Sequence, residues 1–482
     1  MKTKDIHVLM ASMVGIFIIP FIISDIFYVD DIYRSISGKG GWTGLGRPLA
    51  DAVFFPFRPE FGMTVDIAPL TQIIAAICLF FSWVICSNNI FRKNNASTLL
   101  ATFPIIASPF FVQNLAYRFD SMSMSLAVLT VCLSYNFITR FNKTGLILAI
   151  LFGFMSLCLY QSAINILIGL SAVHLLTRES NDRSLLKQAF FFVAVFILSN
   201  LIYLLFISLS GINISGKGSI DILGGFESSV KYINYFFESF GIQDKIIIIS
   251  LCIPPLLAAI IKTIKYYNNT KSSIGAVIIL LTPLAGFISI FGSLPLVAHQ
   301  EPIPRTLTGA SATFIYWNIS LLILIKAIFK SSVMANRAGY ILVVQALFFI
   351  SVPYSFINAQ KKQNTLDVAV AREAVEDIGE VVGSSDGIRI TTLGGTPYAH
   401  QVYINSYQLP LIKNMVSSMY DFTAYLYLRD MYVKGMYFSF DRKKTDDNFI
   451  EAKSLADIKI IKKKYCIYKF RNDVYVIFNS KW

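Results

Sequence analysis

Charge is sparse in this 482-residue chain: 15% of its residues are Asp, Glu, Lys or Arg, against 55% hydrophobic ones. That excludes a disordered chain and an ordinary soluble globule. Histidine is scarce as well. The four, at positions 7, 174, 299 and 400, lie far apart with no metal-ligand spacing. No metal site is therefore expected, although a divalent ion bound by carboxylates stays open. Of the six cysteines, Cys78, Cys86, Cys132, Cys158 and Cys252 fall inside apolar runs and Cys466 stands alone. This forms neither a disulfide framework nor a metal knuckle. There is no Walker loop and no serine nucleophile elbow. No internal repeat is evident, which argues against an inverted-repeat transporter.

What the chain has is apolar length. Runs of about 18 residues or more recur, the mark of a multi-span membrane protein. The pattern predicts about eleven transmembrane helices, near 8–28, 69–90, 97–116, 121–139, 144–160, 162–177, 188–210, 245–262, 273–297, 307–326 and 338–357. The first is read as a retained span, because no small-residue cleavage site follows it. The net charge of +13 comes largely from Lys and Arg in short loops, where they set orientation rather than bind nucleic acid. Their count puts the N-terminus in the cytoplasm and the loops 29–68, 117–120, 211–244 and 298–306 outside, with the tail.

Two domains are expected. Residues 1–357 form the membrane region, and 358–482 form a small α/β domain outside the membrane. In the tail, NTLDVAVAREAVEDIGEVV (364–382) has helical periodicity, IRITTL reads as a strand, and CIYKF and VYVIF read as a hairpin.

The polar residues left once topology and interface anchoring are accounted for cluster on the outer side. Asp30 and Asp31 sit together at the exit of the first span. Like charges that close raise one another's pKa, which suits a general base; two solvated loop acids are the alternative. YRFD (117–120) holds Arg118 and Asp120 in a loop too short to leave the membrane surface. HQEPIPRTLTG (299–309) concentrates His299, Glu301 and Arg305 in a turn stiffened by Pro302 and Pro304. An Arg there matches phosphate geometry, whereas a rigid helix–helix turn is the bland reading. Gln161 lies at the tip of the 144–177 pair, as a ligand or as packing glue. RPLADAVFFPFRPEFGMTVD (47–66) reads as an amphipathic segment on the outer leaflet. Tyr232, Tyr235, Phe236 and Tyr403 would either stack on sugars or pack inside. The spans themselves are nearly free of charge, which favours a site at one face over a transport path.

DDIYRSISGKGGWTGLGRPL (30–49), YRFD (117–120) and PRTLTG (304–309) resemble the phage-type, serotype-converting O-antigen glucosyltransferases. These are GT-C-like polytopic enzymes of the bacterial inner membrane. The likeness covers the membrane region well and the tail poorly. It implies that one of Asp30 and Asp31 is the catalytic base, without saying which, and that Asp120 is a second acidic element. It implies a donor, undecaprenyl-phosphate-glucose, and an O-antigen acceptor, both met on the periplasmic face beside membrane lipid. Its functional partners would be a glucosyl-lipid flippase and a cytoplasmic glucosyl-lipid synthase. The expected reaction is one in-line displacement with inversion. Arg305 and Arg118, then Arg34 and Arg47, would offset the leaving phosphate, and Trp42, Gln161, His299 and Glu301 would complete the substrate site. No cofactor is expected. The competing readings are a flippase and an O-antigen polymerase.

Overall fold

The computed structural model describes residues 3–58, 60, 63–91, 94–178, 184–212, 224–296, 301–329, 331–383, 387–439, 441–456 and 458–480. The chain divides into two compact units. One comprises Met1–Asp25 and Gly40–Tyr354, the other Ile26–Lys39 and Ser355–Trp482. The loop segment 26–39 thus belongs with the tail, a membership that hydropathy does not carry.

The first unit is helical. Eight helices among the described residues are long and apolar enough to cross a membrane: Lys4–Ser24, Leu70–Ile90, Ala96–Ala116, Ser121–Ile138, Leu185–Leu209, Lys245–Thr270, Ala310–Ile328 and Gly339–Val382, the last running on into the second unit. Three segments expected to span, 144–160, 162–177 and 273–297, form the shorter apolar helices Lys143–Leu159, Gln161–Thr177 and Ser273–Ile288.

Composition sorts these helices by depth. Ala96–Ala116 is almost wholly buried, and it carries Ser97, Thr98, Thr102, Ser108, Gln113 and Asn114. Lys245–Thr270, rich in Ile and Leu, is mostly exposed. Polar groups are tolerated more readily inside a bundle than against lipid. The buried span is also broken into Ala96–Thr102, Pro104–Ala107 and Val112–Ala116, with a 3₁₀ turn at Pro109–Phe111. Ser108 is extended (ψ 129°) ahead of Pro109, as a residue before proline prefers. Close helix contact is made at small residues. A Cβ on Gly169 would lie 2.5 Å from that of Ala312, so any side chain there would force the helices apart. Tyr232 and Phe236 of the helix Gly225–Glu238 are buried, Phe236 stacking 5.3 Å from Phe110 and Tyr232 tilted against Phe291. These two aromatics pack the interior rather than face sugars.

The second unit is a mixed five-stranded sheet with helices. Its strands are β1 (Arg389–Gly394), β2 (Met436–Tyr437), β3 (Ile458–Ile461), β4 (Tyr465–Phe470) and β5 (Asp473–Phe478), in the order β2-β1-β5-β4-β3. β1 is parallel to β2 and β5, and β3-β4-β5 is antiparallel. The predicted strand and hairpin are β1 and β4-β5, and the predicted 364–382 helix is the far half of Leu342–Val382. That helix has 41 residues and is about 60 Å long, twice a bilayer's hydrocarbon core. Its apolar half ends near residue 357. Beyond it, Val370, Ala374, Ile378 and Val381 recur at helical spacing and pack on Ile390, Tyr465, Ile467, Val474 and Val476.

Candidate active site

In the first unit the loop after the first helix is tied down by its own polar groups. Asp51 accepts from Thr43 N (2.6 Å), Thr43 Oγ1 (2.5 Å) and Arg58 Nη2 (2.9 Å). The helix Pro48–Phe54 starts with proline at its first position, where the missing N–H costs nothing. It buries Ala50 and Phe54, and the Phe54 ring stacks 4.6 Å from Trp42. Within the expected amphipathic segment, the helix Pro48–Phe54 thus turns Ala50 and Phe54 inward, while Phe55 just after it stays exposed.

Trp42 is fully buried and donates its indole N–H to Asp120 Oδ1 at 2.5 Å. Asp120 is 2% exposed and lies 3.9 Å from Arg47 Nη1. A carboxylate that deep requires such partners, since burying it alone would cost several kcal/mol. Arg47 Nε donates to Gln161 Oε1 (3.2 Å), and its guanidinium lies 4.7 Å from the Tyr160 ring centroid. Gln161 Nε2 reaches the carbonyls of Leu45 (3.0 Å) and Gly46 (3.1 Å) and the Tyr203 hydroxyl (3.0 Å). Tyr203 donates in turn to the Gly46 carbonyl (2.8 Å). Gly46 has φ 74°, a conformation open to glycine at little cost. Tyr160 Oη donates to the Arg305 carbonyl (2.6 Å), and Arg305 N donates to Gln113 Oε1 (2.9 Å). The Arg305 guanidinium donates to the Tyr117 hydroxyl and sits over its ring.

One network thus joins Trp42, Arg47, Asp120, Gln161 and Arg305, five of the residues singled out in the sequence. Gln161 is neither a lone turn residue nor simple glue, because it fixes the carbonyls of the glycine-rich loop. Tyr203, Asp51 and Gln113 escape sequence reasoning. Gln113 left one signal, a long polar side chain inside an apolar run.

Arg118 departs from expectation. Its Nη1 pairs with Asp25 (2.7 Å) and its Nη2 with Asp66 (2.8 Å). One guanidinium between two carboxylates is a clamp joining the end of the first helix to the approach to the second. The local charge sums to −1, which disfavours a phosphate there. Glu301 is exposed, and His299 lies outside the described residues.

The acidic pair belongs to the second unit. Asp31 is fully buried; its Oδ2 accepts from Tyr28 N (3.0 Å) while its own N–H donates to the Tyr28 carbonyl (3.1 Å). This reciprocal pair closes the turn into the helix Asp30–Ser37, much as a capping box does. Tyr28 in turn donates its hydroxyl to the Met415 carbonyl and sets its ring edge-on to Phe356. Arg34 is buried in the same helix. Asp30 is half-buried. It follows Val29, a β-branched residue at φ 48°, and such strain gathers at functional positions. Val29 and Ile32, flanking the pair, line a small open cleft with Asn364, Asp367, Ser418 and Tyr427. Adjacent in sequence, the two acids differ in kind. Asp31 holds the backbone and is fully buried, whereas Asp30 is only half-buried.

Among the described residues, eight helices long and apolar enough to span a bilayer, a buried network of charge and aromatic rings in one unit, and an acidic pair after the first helix are the features of a membrane protein with a candidate polar site. The family model described as glucosyl transferase GtrII matches residues 19–324, more than half of the chain. The chain belongs to this family. It is also 31% identical over 151 residues to a Salmonella phage P22 protein described as an uncharacterized 55.3 kDa protein in the gtrB 5′ region, an overlap that covers 31% of each. The chain thus spans about a third of the length of the curated relative it matches. The family match takes in the whole first-unit network and segment 26–39, and stops short of residues 355–482.

Proposed function

We propose that this protein is an inverting glucosyltransferase that moves glucose from undecaprenyl-phosphate-glucose to the O-antigen repeat of lipopolysaccharide on the periplasmic face of the inner membrane. The observation that carries the reading is the glucosyl transferase family match across residues 19–324, in a chain whose apolar helices are long enough to span a bilayer. The architecture we favour is GT-C-like, with the three shorter apolar helices added to the eight long ones to give eleven crossings. On that count the N-terminus is cytoplasmic and residues 358–482 form a periplasmic domain. Nucleotide sugars are not available there, so the donor arrives on a lipid.

Asp30 is the base. It takes the proton of the acceptor hydroxyl as that oxygen attacks the anomeric carbon, and the polyprenyl phosphate leaves from the opposite face. Phosphate is a good leaving group, so charge stabilisation matters more than a general acid. Arg305, and after it Arg47 and Arg34, would supply that charge, each with a planar fork suited to phosphate. Arg118 drops out of this set because Asp25 and Asp66 occupy it. Asp120 serves by fixing Trp42 and Arg47. A glucosyl-lipid flippase and synthase would supply the donor.

The test expresses the chain in a host with a suitable O-antigen and glucosyl-lipid supply, then weighs the repeat unit by mass spectrometry. A gain of one hexose per repeat is expected, with polysaccharide length unchanged. Altered length without a new branch would point to a polymerase. No gain in any competent host, with lipid-linked sugar redistributed across the membrane, would point to a flippase.

A further inference from the structure

The second unit carries an exposed stripe of the wrong polarity for a solvated surface. In the short helix His400–Ser406 and the residue after it, His400, Tyr403, Ile404 and Tyr407 are all exposed, at i, i+3, i+4 and i+7. That spacing puts them on one face. Tyr403 is 49% exposed, Ile404 56% and Tyr407 86%. Val402, off that face, is fully buried. Lys413 flanks the stripe, its ammonium 5.3 Å from the ring centroids of both Tyr398 and Tyr403.

What covers this face is indicated by a hydrogen bond. Asn405 Nδ2 donates to the Ser355 carbonyl at 2.8 Å. Ser355 is in the last turns of the apolar half of Leu342–Val382, three residues before the sequence turns polar at Asn358-Ala359-Gln360-Lys361-Lys362. The short helix is therefore held beside the end of the long helix's apolar half. Tyrosine with a flanking lysine is the pairing that bilayer interfaces select, ring toward the acyl boundary and ammonium toward phosphate. We propose that the helix His400–Ser406 rests in the headgroup layer of the leaflet through which the long helix exits, with Tyr403, Ile404 and Tyr407 facing lipid. It would act as a foot that sets the height of the second unit above the membrane. Sugar stacking on the same rings is the rival use, and it gives no reason for the attachment at Ser355.

The test places a fluorophore on cysteine at Tyr407→Cys, Ile404→Cys and Tyr432→Cys, one at a time, in the full-length chain. Cys252 and Cys466, the two native cysteines not fully buried, are changed to serine. Tyr432 is 92% exposed in the same unit, away from the stripe in sequence, and serves as the control. The protein is reconstituted in phosphatidylethanolamine–phosphatidylglycerol vesicles with and without a nitroxide-headgroup lipid. Quenching at 404 and 407 at least threefold stronger than at 432 is expected. Equal quenching at all three positions would overturn the proposal. So would labels at 404 and 407 that ignore the lipid quencher yet are shielded from iodide by soluble O-antigen polysaccharide, and that result would assign the stripe to carbohydrate.

Discussion

Asp120 in the first unit and Asp367 in the second are both buried aspartates, and their surroundings differ in one respect. Asp120 has a cation, Arg47, 3.9 Å away, and an indole donor. Among the described residues, Asp367 is held by neutral groups, Gln363 Nε2 (2.8 Å), Thr396 Oγ1 (2.5 Å) and Met419 N (3.0 Å). Asp367 lies past the apolar half of its helix. Burial pushes its carboxyl up to about 6, and the three donors only moderate that rise. Neutral donors hold a fold together at the cost of a carboxylate that resists ionising. A cation beside a buried carboxylate offsets the cost of burying it. The first arrangement suits a scaffold and the second a site that must stabilise charge.

Removing the carboxylate from each tests the difference. Asp120→Ala would leave the Trp42 indole and Arg47 facing a void. We expect a loss of about 2–3 kcal/mol, seen as a lower thermal transition in detergent and less protein in the membrane. Asp120→Asn, which can still accept from the indole, should lose less.

For Asp367 the prediction concerns pH. A carboxyl whose pKa is higher folded than unfolded favours the folded state at low pH. Its contribution is complete below the unfolded value near 4 and is lost as pH rises through 6. The second unit should therefore lose up to about 3 kcal/mol between pH 4 and pH 6.5. Asp367→Asn should flatten that slope, although its amide would meet the Met419 N–H. A slope unchanged in the variant would place the titration elsewhere.

The smallest effect should come from Arg118→Lys. Asp25 is largely exposed, so that pair is worth about 0–1 kcal/mol, and lysine keeps the charge that faces the less exposed Asp66. Transfer activity should stay within a few-fold of the native chain. A hundredfold loss with the protein intact would return Arg118 to the phosphate site.

The sequence carried the parts of this structure that repeat at short range. Apolar runs gave the long spans, and alternation gave β1 and the β4-β5 hairpin. Val370, Ala374 and Ile378 showed their helical period directly. Five residues that the sequence singled out for their polarity at membrane boundaries, Trp42, Arg47, Asp120, Gln161 and Arg305, lie in one contact network. Partnership was not legible. Nothing local tells Arg118 that its carboxylates are Asp25 and Asp66, or that Gln161 serves the loop carbonyls of Leu45 and Gly46. Nor does hydropathy reveal that residues 26–39 fold with the tail, since that depends on Tyr28 meeting Met415, hundreds of residues on. The break in Ala96–Ala116 was half legible, because Pro104 and Pro109 mark it and only packing decides that the pieces stay buried.

The division of labour between Asp30 and Asp31 is the central claim, and one comparison tests it. Asp30→Asn and Asp31→Asn are each expressed in the competent host, matched for protein in the membrane, and hexose transfer to the O-antigen repeat is measured against the native chain. Asp30→Asn should fall by about a hundredfold or more, the scale of a lost general base. Asp31→Asn keeps an oxygen that can accept from the Tyr28 N–H and should retain transfer within about tenfold, at some cost in stability. An active Asp30→Asn, or an inactive Asp31→Asn at full membrane level, would contradict the assignment.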